Sequence, residues 1–203
     1  PLPAWAVDLQ PNDIVAPLPD KNYFTLSYST SEKTRYYKNG SVFASGVYSN
    51  PIVTTESEFI RVSRSYLVGD MPAISYIQIP YGTTKPSGSL SAYGSDTGMA
   101  DVTFATAIWP YADRATRTYL GLAAYLVTPT GSYSAQQAFN MGENRYKSAL
   151  QVGFQKPIYG DLEASIAFDT LWFGNNNQCA AVCGSLSNLS LSQKPLYTTQ
   201  LGL

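Results

Sequence analysis

Apolar and polar residues alternate one by one along much of the chain. The alternation is clearest at 145–156, where Tyr146, Ser148, Leu150, Val152 and Phe154 share one face and Arg145, Lys147, Ala149, Gln151, Gly153 and Gln155 share the other. Successive side chains of a β-strand point to opposite faces, so this period predicts a strand with one apolar and one wet surface. Residues 162–169 repeat it, with Leu162, Ala164, Ile166 and Phe168 opposed to Glu163, Ser165, Ala167 and Asp169. The stretch 99–109 sets Val102, Phe104 and Ile108 against Asp101, Thr103 and Ala105, and 118–128 sets Leu120, Leu122, Ala124 and Leu126 against Tyr119, Gly121, Ala123 and Tyr125. In 56–68 the apolar face of Ile60, Val62, Tyr66 and Val68 also carries Glu58 and Arg64, which predicts a rim position for these two charges. Residues 22–37 carry Phe24, Leu26 and Tyr28 on one side, 72–80 is apolar on both faces, and 196–203 begins an eighth segment.

The connections add a second pattern. Long stretches at 38–52, 81–98, 129–144 and 174–194 alternate with shorter ones at 69–71, 110–117 and 157–160. Antiparallel strands joined alternately by short turns and long loops are the arrangement of outer-membrane barrels, with the short turns at the periplasmic rim. The fold class expected is therefore all-β, an antiparallel up-and-down transmembrane β-barrel. Aromatic girdles are expected at the interfaces: Trp109, Tyr111 and Tyr159 at the short-turn rim, and Tyr36, Tyr37, Trp172 and Phe173 at the long-loop rim. A soluble β-sandwich or barrel is the competing fold, because alternation alone also describes a sheet with one face in water.

Composition narrows the function classes. Only 13% of residues are charged, while 16 are Tyr, which suits a molecule greasy outside and polar inside. With 13 basic and 14 acidic residues there is no basic stripe to hold nucleic acid. The absence of His removes the commonest general base and metal ligand, no Ser lies in a Gly-x-Ser-x-Gly elbow, and neither enzyme activity nor a cofactor is expected. The longest apolar run, roughly 119–127, is about half of the ~20 residues a membrane-spanning helix needs. Cys179 and Cys183 stand four positions apart in a polar stretch and either close a small disulfide loop or remain two thiols. The start, Pro1 to Ala6, ends in a small-x-small pattern, so 1–6 reads as a signal-peptide remnant or, equally, as a Pro-rich tail.

From Gly98 onward the chain resembles the bacterial outer-membrane family of the MetA pathway of phenol degradation. The resemblance rests on Gly98-Met99-Ala100-Asp101, on Leu126-Val127-Thr128-Pro129-Thr130-Gly131-Ser132-Tyr133 and on Asn140-Met141-Gly142-Glu143-Asn144-Arg145, with Val7-Asp8-Leu9-Gln10-Pro11 similar to the family's mature start. It implies a Gram-negative outer-membrane barrel, embedded in lipid, that carries small hydrophobic or aromatic compounds inward. Family members are longer, so 7–203 is expected to be a barrel domain truncated at its C-terminus, from a barrel of about 12 strands.

The candidate functional residues are the ionisable groups expected to face the lumen: Asp101, Arg145, Lys147, Glu163 and Asp169. Arg145 and Lys147 are expected to pair across strands with Glu163 and Asp169. These two carboxylates, ~20 Å apart along one strand, are too distant to cooperate in catalysis. Tyr133 and Phe139 are candidate contacts in the loop at 129–144, either stacking on an aromatic solute or anchoring the loop. The competing function is a structural or adhesive barrel with a plugged lumen.

Overall fold

The structure, a computed structural model, describes residues 13–38, 41–179, 181 and 183–203. Eight strands follow one another: β1 (Asn22–Lys33), β2 (Pro51–Val68), β3 (Met71–Gly88), β4 (Thr103–Asp113), β5 (Thr118–Val127), β6 (Lys147–Tyr159), β7 (Leu162–Phe173) and β8 (Leu196–Gly202). Each pairs antiparallel with its neighbour in sequence, so the sheet is an up-and-down meander with β1 and β8 at the two ends of the order. A short strand, Asp96–Met99, pairs with the far half of β3. Two small hairpins, Tyr37–Lys38 with Ser41–Val42 and Asn176–Cys179 with Leu189–Leu191, decorate the long-loop end.

The faces are inverted relative to a soluble sheet. Phe24, Leu26, Val62, Ile77, Phe104, Leu122, Leu150, Ile166 and Phe168 are exposed on one face, while Ser63, Gln151, Gln155 and Asp169 are buried on the other. Greasy outside and polar inside is the solution a lipid solvent selects, because lipid satisfies no hydrogen bonds and the lumen can. The molecule is an antiparallel half-barrel sheet of transmembrane type.

Strand lengths differ from the alternation reading in an instructive way. β2 and β3 each run 18 residues, beyond the ~9–11 that cross a bilayer. Their register pairs Pro51 with Gly88 and continues without a break to Val68 with Met71. Residues 81–88, expected in a loop, are therefore strand, and the hairpin extends past the apolar band at its long-loop end. That extension carries Thr54, Thr55, Glu56 and Ser57 on β2 and Thr83, Thr84 and Lys85 on β3, so it has no apolar period there. The turns are tighter than expected as well: 157–159 belongs to β6, leaving Gly160 and Asp161 between the strands, and Pro157 sits at a register shift opposite Glu163, where a missing N–H is tolerated.

Two expected girdle residues point inward. Trp109 is only 4% exposed and belongs to a lumenal cluster with Ile14, Ala16 and Tyr119. Phe173 lies beneath the Arg145 guanidinium, 4.6 Å from ring centroid to Cζ. Strand parity explains both: Ile108 and Trp172 take the outward positions, and their successors must face in. Tyr111, Tyr159 and Trp172 are exposed.

Candidate functional site

The lumenal face of β2 to β6 carries a row of polar and aromatic side chains. Arg61 lies between the outward Ile60 and Val62 and so turns inward. It donates to Gln78 Oε1 from Nε at 3.0 Å and from Nη2 at 2.7 Å. Its guanidinium also stacks 4.4 Å above the Tyr76 ring, a geometry that adds cation–π attraction to the hydrogen bonds. One layer further round, the Tyr125 hydroxyl donates to Gln151 Oε1 at 2.9 Å.

A segment outside the strands enters this lumen. Ile14 is 6% and Ala16 2% exposed, although 13–17 forms no strand. The Trp109 indole N–H donates to the Ile14 carbonyl at 2.7 Å. Arg114 Nη2 donates to the carbonyls of Ala16 at 3.0 Å and Pro17 at 2.7 Å. Gly153 makes room for the strap, since a Cβ there would meet Ile14 Cγ1 at 3.1 Å. Beside the strap remains a cavity of about 420 Å³, bordered by Asp13, Arg61, Tyr76, Trp109, Tyr125 and Gln151. Its walls offer aromatic faces, one guanidinium and amide groups, a set suited to an aromatic solute with a polar handle.

The residues singled out from sequence fall into three places. Asp101 lies between strands, where its Oδ1 accepts the Gly131 N–H and its Oδ2 the Glu143 N–H, both at 3.0 Å. Burial pushes its carboxyl above the ordinary range, against the pull of these two hydrogen bonds and of Lys147. Arg145 and Lys147 converge on Glu143, at 2.6 and 2.5 Å, instead of on Glu163 and Asp169. The register is the cause: Lys147 stands opposite Phe173, and Asp169 opposite Gln151. Glu163 binds Arg117 at 3.2 Å and Gln155 near the short-turn rim, and Asp169 is fully buried on the lumenal face.

The loop residues tie the long-loop end together. The Tyr133 hydroxyl donates to the Gln178 carbonyl and accepts from Asn176 Nδ2, both at 2.8 Å. Phe139 packs edge-on against Tyr93, with centroids 5.9 Å apart. Gly131 and Gly142 touch backbone to backbone, and a Cβ on either would lie 2.8 Å from the other. Cys179 and Cys183 form a disulfide with Cα atoms 5.5 Å apart. Sequence reading missed the strap and Arg61. Only the inward parity of Arg61 was there to be used, and nothing periodic marks the strap.

A meander with an apolar exterior and a polar lumen, long loops at one end and tight turns at the other, defines an outer-membrane β-barrel wall. The comparisons agree. The family model described as "Putative MetA-pathway of phenol degradation" matches residues 34–202, and the chain belongs to that family. A crystal structure of an outer membrane channel from Pseudomonas putida F1 is similar at a TM-score of 0.83 and 26% identity, over 96% of this chain and 69% of that one. No curated protein matches the chain. The chain is thus an outer-membrane, channel-like β-barrel protein.

Proposed function

We propose that the protein mediates passage of small hydrophobic or aromatic compounds across the outer membrane. The observation that carries this reading is the lumenal cavity of about 420 Å³, with Tyr76, Trp109 and Tyr125 supplying flat apolar surfaces and Arg61 and Gln151 supplying donors. A solute of benzene-ring size fits such a space, and the few polar groups would orient it. Asp101, Arg145, Lys147, Glu163 and Asp169 take part as framework in this proposal: they hold the wall and the loop cap in shape around the path.

The test is flux. The full-length protein reconstituted in liposomes is expected to admit phenol-sized aromatic solutes faster than sugars of similar mass. Equal or absent flux for both would overturn the proposal. A second reading, a barrel whose lumen is plugged and whose role is structural, draws on the strap of Ile14 and Ala16 within the lumen. It predicts no aromatic flux while the strap is seated.

A further inference from the structure

The outer face of the sheet carries a groove that transport does not use. It spans β2 to β5 and has a volume of about 610 Å³, within the ~300–1,000 Å³ typical of small-molecule sites. Its floor is made where the outward positions shrink to Ser75, Thr106 and Ala124, which are consecutive partners across β3, β4 and β5. Its walls are the exposed apolar side chains Ile77, Phe104 and Leu126.

The floor is polar at one end only. The Tyr66 and Ser75 hydroxyls lie 2.8 Å apart, and Ser75 donates to Thr106 Oγ1 at 3.1 Å. At the same end, on β2, stands Arg64. Its Nη1 donates to Asn22 Oδ1 at 3.1 Å, and its Nη2 is 3.8 Å from Asp20 Oδ1, with side-chain exposures of 59% and 77%. An ion pair so long and so exposed holds its arginine weakly. The guanidinium fork is therefore open to a better anion, and phosphate is the one its geometry matches bidentately.

Arg64 is five residues from the Gly69–Asp70 turn, on the short-turn side of Ile60 and Val62, where Arg64, Asn22 and Asp20 form a polar patch on the outer face and only Tyr66 and Val68 follow on β2. A cation at the edge of the band, hydroxyls just above it and an apolar trough beyond reproduce the order of groups in a phospholipid: phosphate, glycerol esters, acyl chain. We propose that this groove binds a phospholipid of the leaflet at the short-turn rim, its phosphate on Arg64 and one acyl chain along the floor over Thr106 and Ala124. The inference rests on the membrane placement of the sheet and is independent of what crosses the lumen.

Native mass spectrometry of the full-length protein released from detergent, with added phosphatidylglycerol, tests it. The wild type is expected to retain one phosphatidylglycerol in preference to the matching diacylglycerol. Arg64→Gln should lower retention about tenfold, the equivalent of one charge-assisted contact. Ala124→Phe, which fills the trough and leaves the cation in place, should lower it as well. Arg117→Gln, at the turn beside Glu163, should leave it unchanged. Undiminished retention in Arg64→Gln or in Ala124→Phe overturns the proposal, and so does displacement of the lipid by inorganic phosphate at equal concentration. The two groove variants act on opposite ends of the lipid, so either one alone is decisive if the other does not fold.

Discussion

Asp101 shows how much of the loop architecture hangs on one side chain. A carboxylate has two acceptor atoms, and here each takes a backbone N–H from a different part of the 128–146 connection. Burial of the ionised group is costly, and two hydrogen bonds to it offset part of that cost. Asp101→Ala removes both acceptors and orphans two donors at ~1–3 kcal/mol each. Backbone exchange at Gly131 and Glu143 is expected to rise steeply, and Asp101→Asn, which keeps one acceptor, is expected to recover part of the protection. Unchanged exchange in the alanine variant would show that the loop is held elsewhere. Trp109 is the counterpart in the lumen. Trp109→Phe keeps most of the ring and deletes the donor to Ile14, at a cost of ~1–3 kcal/mol to the docked strap. The expected readout is a higher conductance of the full-length protein in planar bilayers, and a variant that conducts like the wild type would place the restriction away from the strap.

At the scale of elements, legibility followed the contrast between faces. β6 and β7 were readable almost residue by residue because Leu150, Val152, Phe154, Ile166 and Phe168 meet lipid while their neighbours do not. The far halves of β2 and β3 were not, since 54–57 and 82–85 carry no apolar side chain on either face and the pairing that makes them strands is non-local. Trp109 and Phe173 were placed by residue type when parity already turned them inward. The ion pairs were misassigned because alternation fixes a face but not a register, and the observed register sets Lys147 against Phe173. The strap at 13–17 has no period at all. Its position depends on Trp109, Arg114 and Gly153, each distant in sequence, so no local signal could reveal it.

For the whole molecule, the inverted pattern makes a prediction that separates membrane from water. Ile166 faces lipid on β7, and Thr198 faces the lumen on β8 opposite Asp169. Ile166→Arg is expected to cost ~2–4 kcal/mol in the bilayer, whereas Thr198→Lys places its charge on the wet face and should cost little. Denaturant titration of the full-length protein folded into lipid vesicles reads both values. Equal costs for the two substitutions would be incompatible with the assigned faces.

The strap also fixes an order of events. The Trp109 to Ile14 bond joins residues 95 positions apart, and its receptor is a pocket that exists only once β4, β5 and β6 have aligned to bring Trp109, Tyr119 and Gly153 together. Contacts of such long sequence separation form late, because the intervening chain must be ordered before they are rewarded. The strap, though it precedes the strands in the chain, is therefore seated after the wall that receives it, and the lumen is wide while the sheet assembles and narrows when the strap arrives.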